Sequence, residues 1–211
     1  MGRDMIVAII GPDGCGKTTQ AKKLSERLKR KGYNTIYVQP VYILLNILKC
    51  SKNITSISPR KIRTSHTKMH KSVFHSMKRI LLCLLGYVYA FITYLFMKIS
   101  LGRNKIVISD RYFYQFFFDL FGNWSQNIVK IFPKPDITFF LDGDLTLFYS
   151  RMNDPFDTSV SSDYYRAVLN FYRKISQENN FIRIDANLDK ETINDIMFKH
   201  LTKKVKGDAH G

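Results

Sequence analysis

The chain has 211 residues, 45% of them hydrophobic, and a formal net charge of +16. That length supports a core that holds without disulfides or structural metals, and Cys15, Cys50 and Cys83 lack the paired spacing that either would need. The excess of cations points to anionic partners, which on charge alone range from nucleotides to nucleic acid to an acidic membrane face.

Met1 to Asp4 shows neither the n-region nor the cleavage site of a signal peptide, so a cytoplasmic location is expected. Met5 to Ile10 is a continuous apolar run ended by Gly11 and Pro12, the pattern of a strand buried on both faces. Thr18 to Lys31 follows with the helical period, Ala21, Leu24 and Leu28 falling on one side and Gly32 supplying a stop. Thr35 to Val38 reads as the next strand, which completes a parallel βαβ unit.

Val41 to Lys78 is helix-rich but broken by the polar segment Ser51 to Pro59. Arg60, Lys61, Arg63, Lys68, Lys71, Lys78 and Arg79 lie close together with no Asp or Glu among them. The cluster reads either as a solvated basic face or as a surface for anions; no recognised nucleic-acid module accompanies it. Ile80 to Met97 is uncharged and strongly apolar, at about eighteen residues the lower edge of a bilayer span. Gly86, Thr93 and the tyrosines suit a helix buried in the protein or at a homodimer seam, with peripheral membrane contact as the alternative. A basic and apolar helical insert is thus expected over residues 60–100.

Lys105 to Ser109 and Ile137 to Leu141 are two further buried-strand runs. Tyr164 to Gln177 is helical, Phe181 to Asp185 a last strand, and Lys190 to Leu201 a terminal helix. Alternation of strand and helix predicts one α/β domain over residues 1–211, a doubly wound three-layer sandwich around a central parallel sheet.

Gly11-Pro-Asp13-Gly14-Cys15-Gly16-Lys17-Thr18 matches the P-loop pattern in full, between a predicted strand and a predicted helix. Gly14 and Gly16 let the backbone curl so that successive N–H groups, with those of Cys15 and Thr19 beside them, face a phosphate at the positive end of the helix. Lys17 would bridge the β- and γ-phosphates of ATP, and the Thr18 hydroxyl would ligate Mg²⁺. Asp110 ends an apolar strand, where a carboxylate sits on the magnesium side of a transferred phosphoryl group; Arg111 beside it suits two oxygens of an acceptor phosphate. Asp13, inside the loop, is placed for a sugar hydroxyl or another acceptor group. Arg151 opens a polar segment, about residues 151–163, that reads as a lid, with the arginine reaching the nucleotide or making a surface ion pair.

With these residues in place the chain resembles the thymidylate kinase family of P-loop nucleoside monophosphate kinases. The likeness rests on Gly11 to Gln20, on Asp110-Arg111-Tyr112 after a strand, on Pro135-Asp136 before the strand ending Leu141-Asp142, and on Arg151 and the helix from Tyr164. It implies phosphoryl transfer from ATP to a nucleoside monophosphate, most simply dTMP. Lys17, Asp110, Arg111 and Arg151 would be catalytic, Thr18 and Asp110 would lie on the metal, and Asp13, Arg111 and Tyr112 on the acceptor. The chain departs from the family on the acceptor side, with Gln39-Pro40-Val41-Tyr42 in place of an Arg-Glu-Pro-Gly type segment, and the run Phe113 to Leu120 in place of a Ser and Ala-Tyr-Gln run. It also has Gly14 where members often carry a loop arginine, a charge that Arg60, Arg63 or a partner subunit would have to replace. The alternatives are a P-loop kinase of another small acceptor, and a membrane-associated nucleotide-binding protein without turnover.

Overall fold

A computed structural model describes residues 4–40, 73–100, 105–152 and 161–207. Among them five strands form one parallel sheet: β1 (Met5–Ile10), β2 (Thr35–Val38), β3 (Ile106–Asp110), β4 (Ile137–Asp142) and β5 (Ile182–Asp185), in the spatial order β2-β3-β1-β4-β5. The helices among these residues are α1 (Lys17–Arg30), α2 (Val73–Ser100), α3 (Phe113–Phe121), α4 (Ser125–Ile131), α5 (Leu145–Ser150), α6 (Ser162–Glu178) and α7 (Lys190–Gly207).

Side chains along β1 alternate between two packed faces, so the whole strand is buried and reads as an unbroken apolar run. Met5, Val7 and Ile9 pack with Ala21, Leu24 and Leu28 of α1 and with Ile193, Met197 and Leu201 of α7. Ile6, Ala8 and Ile10 face the opposite layer, where α3, α4 and α6 contribute Phe113, Phe117, Val129, Val168 and Tyr172. This is the expected doubly wound three-layer sandwich. At its centre, β1 lies between β3 and β4, with Ile9 opposite Asp110 and Ile10 opposite Phe140. The connection from β1 runs to the β2 edge and the one from β3 crosses to β4 on the other side, so the order reverses between β1 and β3, and the crevice at their carboxyl ends is where such sheets bind ligands.

Helix α2 departs from the buried alternative. Ala90, Thr93 and Met97 are buried, but Leu81, Leu84, Leu85 and Ile92 are exposed. The reason is geometric: α3 and α4 already fill this layer of the sheet, and α2 packs outside, with Gly86 against Phe116 and Leu120 of α3. The expectations for residues 41–72, including the basic cluster from Arg60 to Lys71, and for residues 153–160 of the lid fall outside the described residues.

Candidate active site

The loop after β1 and the first turn of α1 form one side of the site. Gly14 has φ 81° and lies so close to α5 that a Cβ there would collide with the Phe148 carbonyl oxygen. Gly16, at φ 95°, caps α1 in the left-handed region. No acidic residue lies in the first turn of α1, so its positive end is left for an anion. Cys15 is fully buried, and burial pushes its thiol pKa up, which makes it a packing residue of the loop.

Lys17 is buried, and its ammonium donates to the Pro12 carbonyl and pairs with Asp13 Oδ1 at 3.5 Å. The same Asp13 oxygen holds Arg111 Nη1 at 2.7 Å. One carboxylate inside the loop therefore sets the spacing of two cations, one from the loop and one from the end of β3. Arg111 reaches it through a bend: its φ is 72°, a conformation that costs a non-glycine residue about 1–3 kcal/mol and persists only where the surroundings enforce it. They do so by a bond from Arg111 N–H to the Ile9 carbonyl at 3.0 Å and one from the Ser109 hydroxyl to the Arg111 carbonyl at 2.6 Å.

Asp110 is fully buried at the carboxyl end of β3. Its Oδ2 accepts from the Thr18 hydroxyl at 2.7 Å, the Tyr37 hydroxyl at 2.7 Å and Gln39 Nε2 at 2.8 Å. Burial, followed by the bond to Asp110, pushes the Tyr37 phenol pKa well above its ordinary range and keeps it a donor. The other oxygen, Asp110 Oδ1, is buried with no hydrogen-bond partner among the described residues. An unsatisfied carboxylate oxygen beside a threonine hydroxyl suits a hard cation that keeps most of its ligands as water and phosphate. No cluster of three His, Cys, Asp or Glu able to hold a metal by itself occurs among the described residues.

Gly14 to Gln20, Arg111 and Arg151 line one cleft of about 450 Å³, closed on the far side by Leu188, Lys190 and Ile193. Arg151 is fixed at its rim by Nη1 donating to the Ala186 carbonyl at 3.3 Å. The structure thus gathers Gly14, Cys15, Gly16, Lys17, Thr18, Thr19, Arg111 and Arg151 at one site, with Asp13 and Asp110 beneath. Tyr112 is not brought there. It is buried in the aromatic core, 5.0 Å from the rings of Phe113 and Tyr114, and its hydroxyl donates to the Pro133 carbonyl at 2.7 Å. Strand alternation would put Tyr112 on the same face as Ile108 and Asp110, and the left-handed bend at Arg111 breaks that alternation.

Tyr37 and Gln39 are the site residues that sequence reasoning missed as Asp110 partners. Both lie at the carboxyl end of β2 and share its parity, so two polar side chains at the ligand edge of a sheet were the available signal.

A family model described as thymidylate kinase matches residues 9–196. A probable thymidylate kinase of Sulfurisphaera tokodaii is 31% identical over 187 residues, covering 85% of this chain and 86% of the relative. One from Methanosphaera stadtmanae is 26% identical over 209 residues, covering 96% and 100%, and a thymidylate kinase of Anaplasma phagocytophilum is 28% identical over 188 residues, covering 82% and 78%. Among solved structures, a deoxyadenosine kinase from M. mycoides with dCMP and dCDP aligns with a TM-score of 0.55 at 17% identity, covering 94% of this chain and 99% of its own, a likeness of fold.

Proposed function

The chain belongs to the thymidylate kinase family, and from that premise we propose that it transfers the γ-phosphoryl group of ATP to dTMP, giving dTDP and ADP. The observation that carries this reading is the convergence of Lys17, Arg111 and Arg151 on one cleft lined by the glycine-rich loop. Joining two anionic phosphates is opposed chiefly by their charge, so the protein's task is to hold them in line and neutralise them.

Each residue then has a physical role. Loop N–H groups and the Lys17 ammonium hold the donor's terminal phosphates, and Arg111 forks the acceptor phosphate. An oxygen of that phosphate attacks the γ-phosphorus while the bond from phosphorus to the β,γ-bridging oxygen breaks, leaving ADP. The attacking oxygen is already ionised, so no general base is required. Asp13 fixes the separation of Lys17 from Arg111, and Arg151 contributes positive charge at the rim. Thr18 and the unpaired oxygen of Asp110 are the residues that would hold Mg²⁺. When bound, the ion supplies neutralisation of the β- and γ-oxygens.

The test is a coupled assay of ADP release with a panel of nucleoside monophosphates. Turnover with dTMP above the other members is the expected result. A panel in which dTMP does not exceed the ATP-only background overturns the reading, and preference for another monophosphate reassigns the acceptor.

A further inference from the structure

Phosphoryl transfer leaves helix α2 unexplained. Its segment Ile80–Ile99, 20 residues with a mean hydropathy of 2.2, has only 17% of its residues buried. Side chains on α2 are arranged in the inverse of a solvent-facing helix. Small and polar groups turn inward: Thr93 is fully buried and donates to the Tyr89 carbonyl at 2.9 Å, Gly86 lies against α3, and the Cys83 thiol donates to the Leu120 carbonyl at 3.5 Å. Outward, Leu81, Leu84, Leu85, Val88, Ile92 and Leu95 are between 38% and 60% exposed. At the helical repeat these six fall within an arc of about 100°, so they make one continuous apolar stripe. The glycine and cysteine that would suit a protein partner are already spent on α3, and the threonine bonds within its own helix.

Charge decides what meets the stripe. From Lys49 to Lys105 the sequence contains twelve Lys and Arg and no Asp or Glu. Twelve of the net +16 thus belong to the stretch that contains α2, whereas Arg27, Lys29 and Arg30 lie on α1 in the opposite layer of the sheet. A seam between two copies would bury the same side chains but would juxtapose two copies of the one strongly cationic segment. An anionic bilayer satisfies both features together, taking leucine and isoleucine side chains among its acyl chains and attracting lysine and arginine at its head groups.

We infer that the outer face of α2 seats this protein on an anionic lipid bilayer, with the helix lying in the plane of the interface. The seat is separate from the nucleotide cleft and independent of which acceptor the cleft takes. Its test is flotation of the full-length chain, without detergent and at physiological salt, with vesicles of phosphatidylcholine alone or mixed with phosphatidylglycerol. The protein should float with the mixed vesicles and at least about 10-fold less with the neutral ones. Leu84→Glu combined with Ile92→Glu should abolish flotation while leaving turnover and far-ultraviolet dichroism unchanged. If that pair lowers the dichroism, Leu84→Ser with Ile92→Ser is read in its place. Failure of the wild type to float, equal flotation with neutral vesicles, or undiminished flotation of the folded variant overturns the inference. So does light scattering that shows a stable dimer which the same substitutions dissociate, since the stripe would then be a seam between copies.

Discussion

On the donor side of the cleft, Gly14, Gly16, Lys17 and Thr18 take positions set by backbone torsions and by the first turn of α1. On the side proposed for the acceptor, Arg111 is aimed by an ion pair to Asp13 at 2.7 Å, while Phe113, Tyr114 and Phe117 behind it serve the aromatic core. A phosphate gripped by backbone N–H groups allows little variation in side chains, whereas an acceptor met by side chains can be changed by replacing them. Of the departures from the family pattern, Gln39 meets Asp110, and within the run Phe113 to Leu120 the side chains of Phe113, Tyr114, Gln115 and Phe117 are buried.

Substitutions can break that contrast. Lys17→Ala should lower kcat about 10³-fold with the fold intact, because it removes a charge needed in the transition state; a fall under tenfold in steady-state kinetics would contradict the donor assignment. Asp110→Asn, which keeps the shape but removes the charge, should lower kcat about 10²-fold and raise the Mg²⁺ concentration required, read from a magnesium titration. Arg111→Ala should raise the KM of the acceptor about 10- to 100-fold, the worth of a charged hydrogen-bonded contact, with the KM of ATP little altered. Equal effects on both KM values would show that the two sides do not divide the work.

Gly14→Ala tests the backbone itself. Its φ of 81° and the Phe148 carbonyl together should cost about 1–3 kcal/mol, measured by urea denaturation. Tyr37→Phe should have the smallest effect, about 1 kcal/mol of stability and a few-fold in kcat. The folded-state pKa of Tyr37 is raised above its ordinary value of 10.0, so its contribution is fully present below that pH and is lost as the pH rises through the folded value. Denaturation of wild type and Tyr37→Phe at neutral and alkaline pH should show their difference shrinking only on the alkaline side.

Local features were legible. Continuous apolar runs gave away β1, β3 and β4, the glycine spacing announced the loop, and Asp110 was found because a charge after an apolar strand marks the ligand edge. What escaped depends on chain segments distant in sequence. Tyr37 and Gln39 meet Asp110 from across the sheet, contacts of 73 and 71 residues in sequence separation. Tyr112 was expected on the acceptor from the family resemblance, but a left-handed φ at Arg111 breaks the strand's alternation and leaves it in the core. For α2, composition is the same whether a helix is enclosed or uncovered, and only the packing of α3 and α4 beneath it tells the two apart.

The crowding of Gly14 against Phe148 also limits how this protein can change. A single-base substitution in a glycine codon yields arginine, the shortest way to add a cation to this loop. Here the way is blocked, because any side chain at that position must first displace α5, and Arg151 follows α5 directly. Moving the helix to admit one arginine would therefore pull the other from the cleft. An arginine at position 14 and the present placement of Arg151 thus exclude one another, and this chain carries the second.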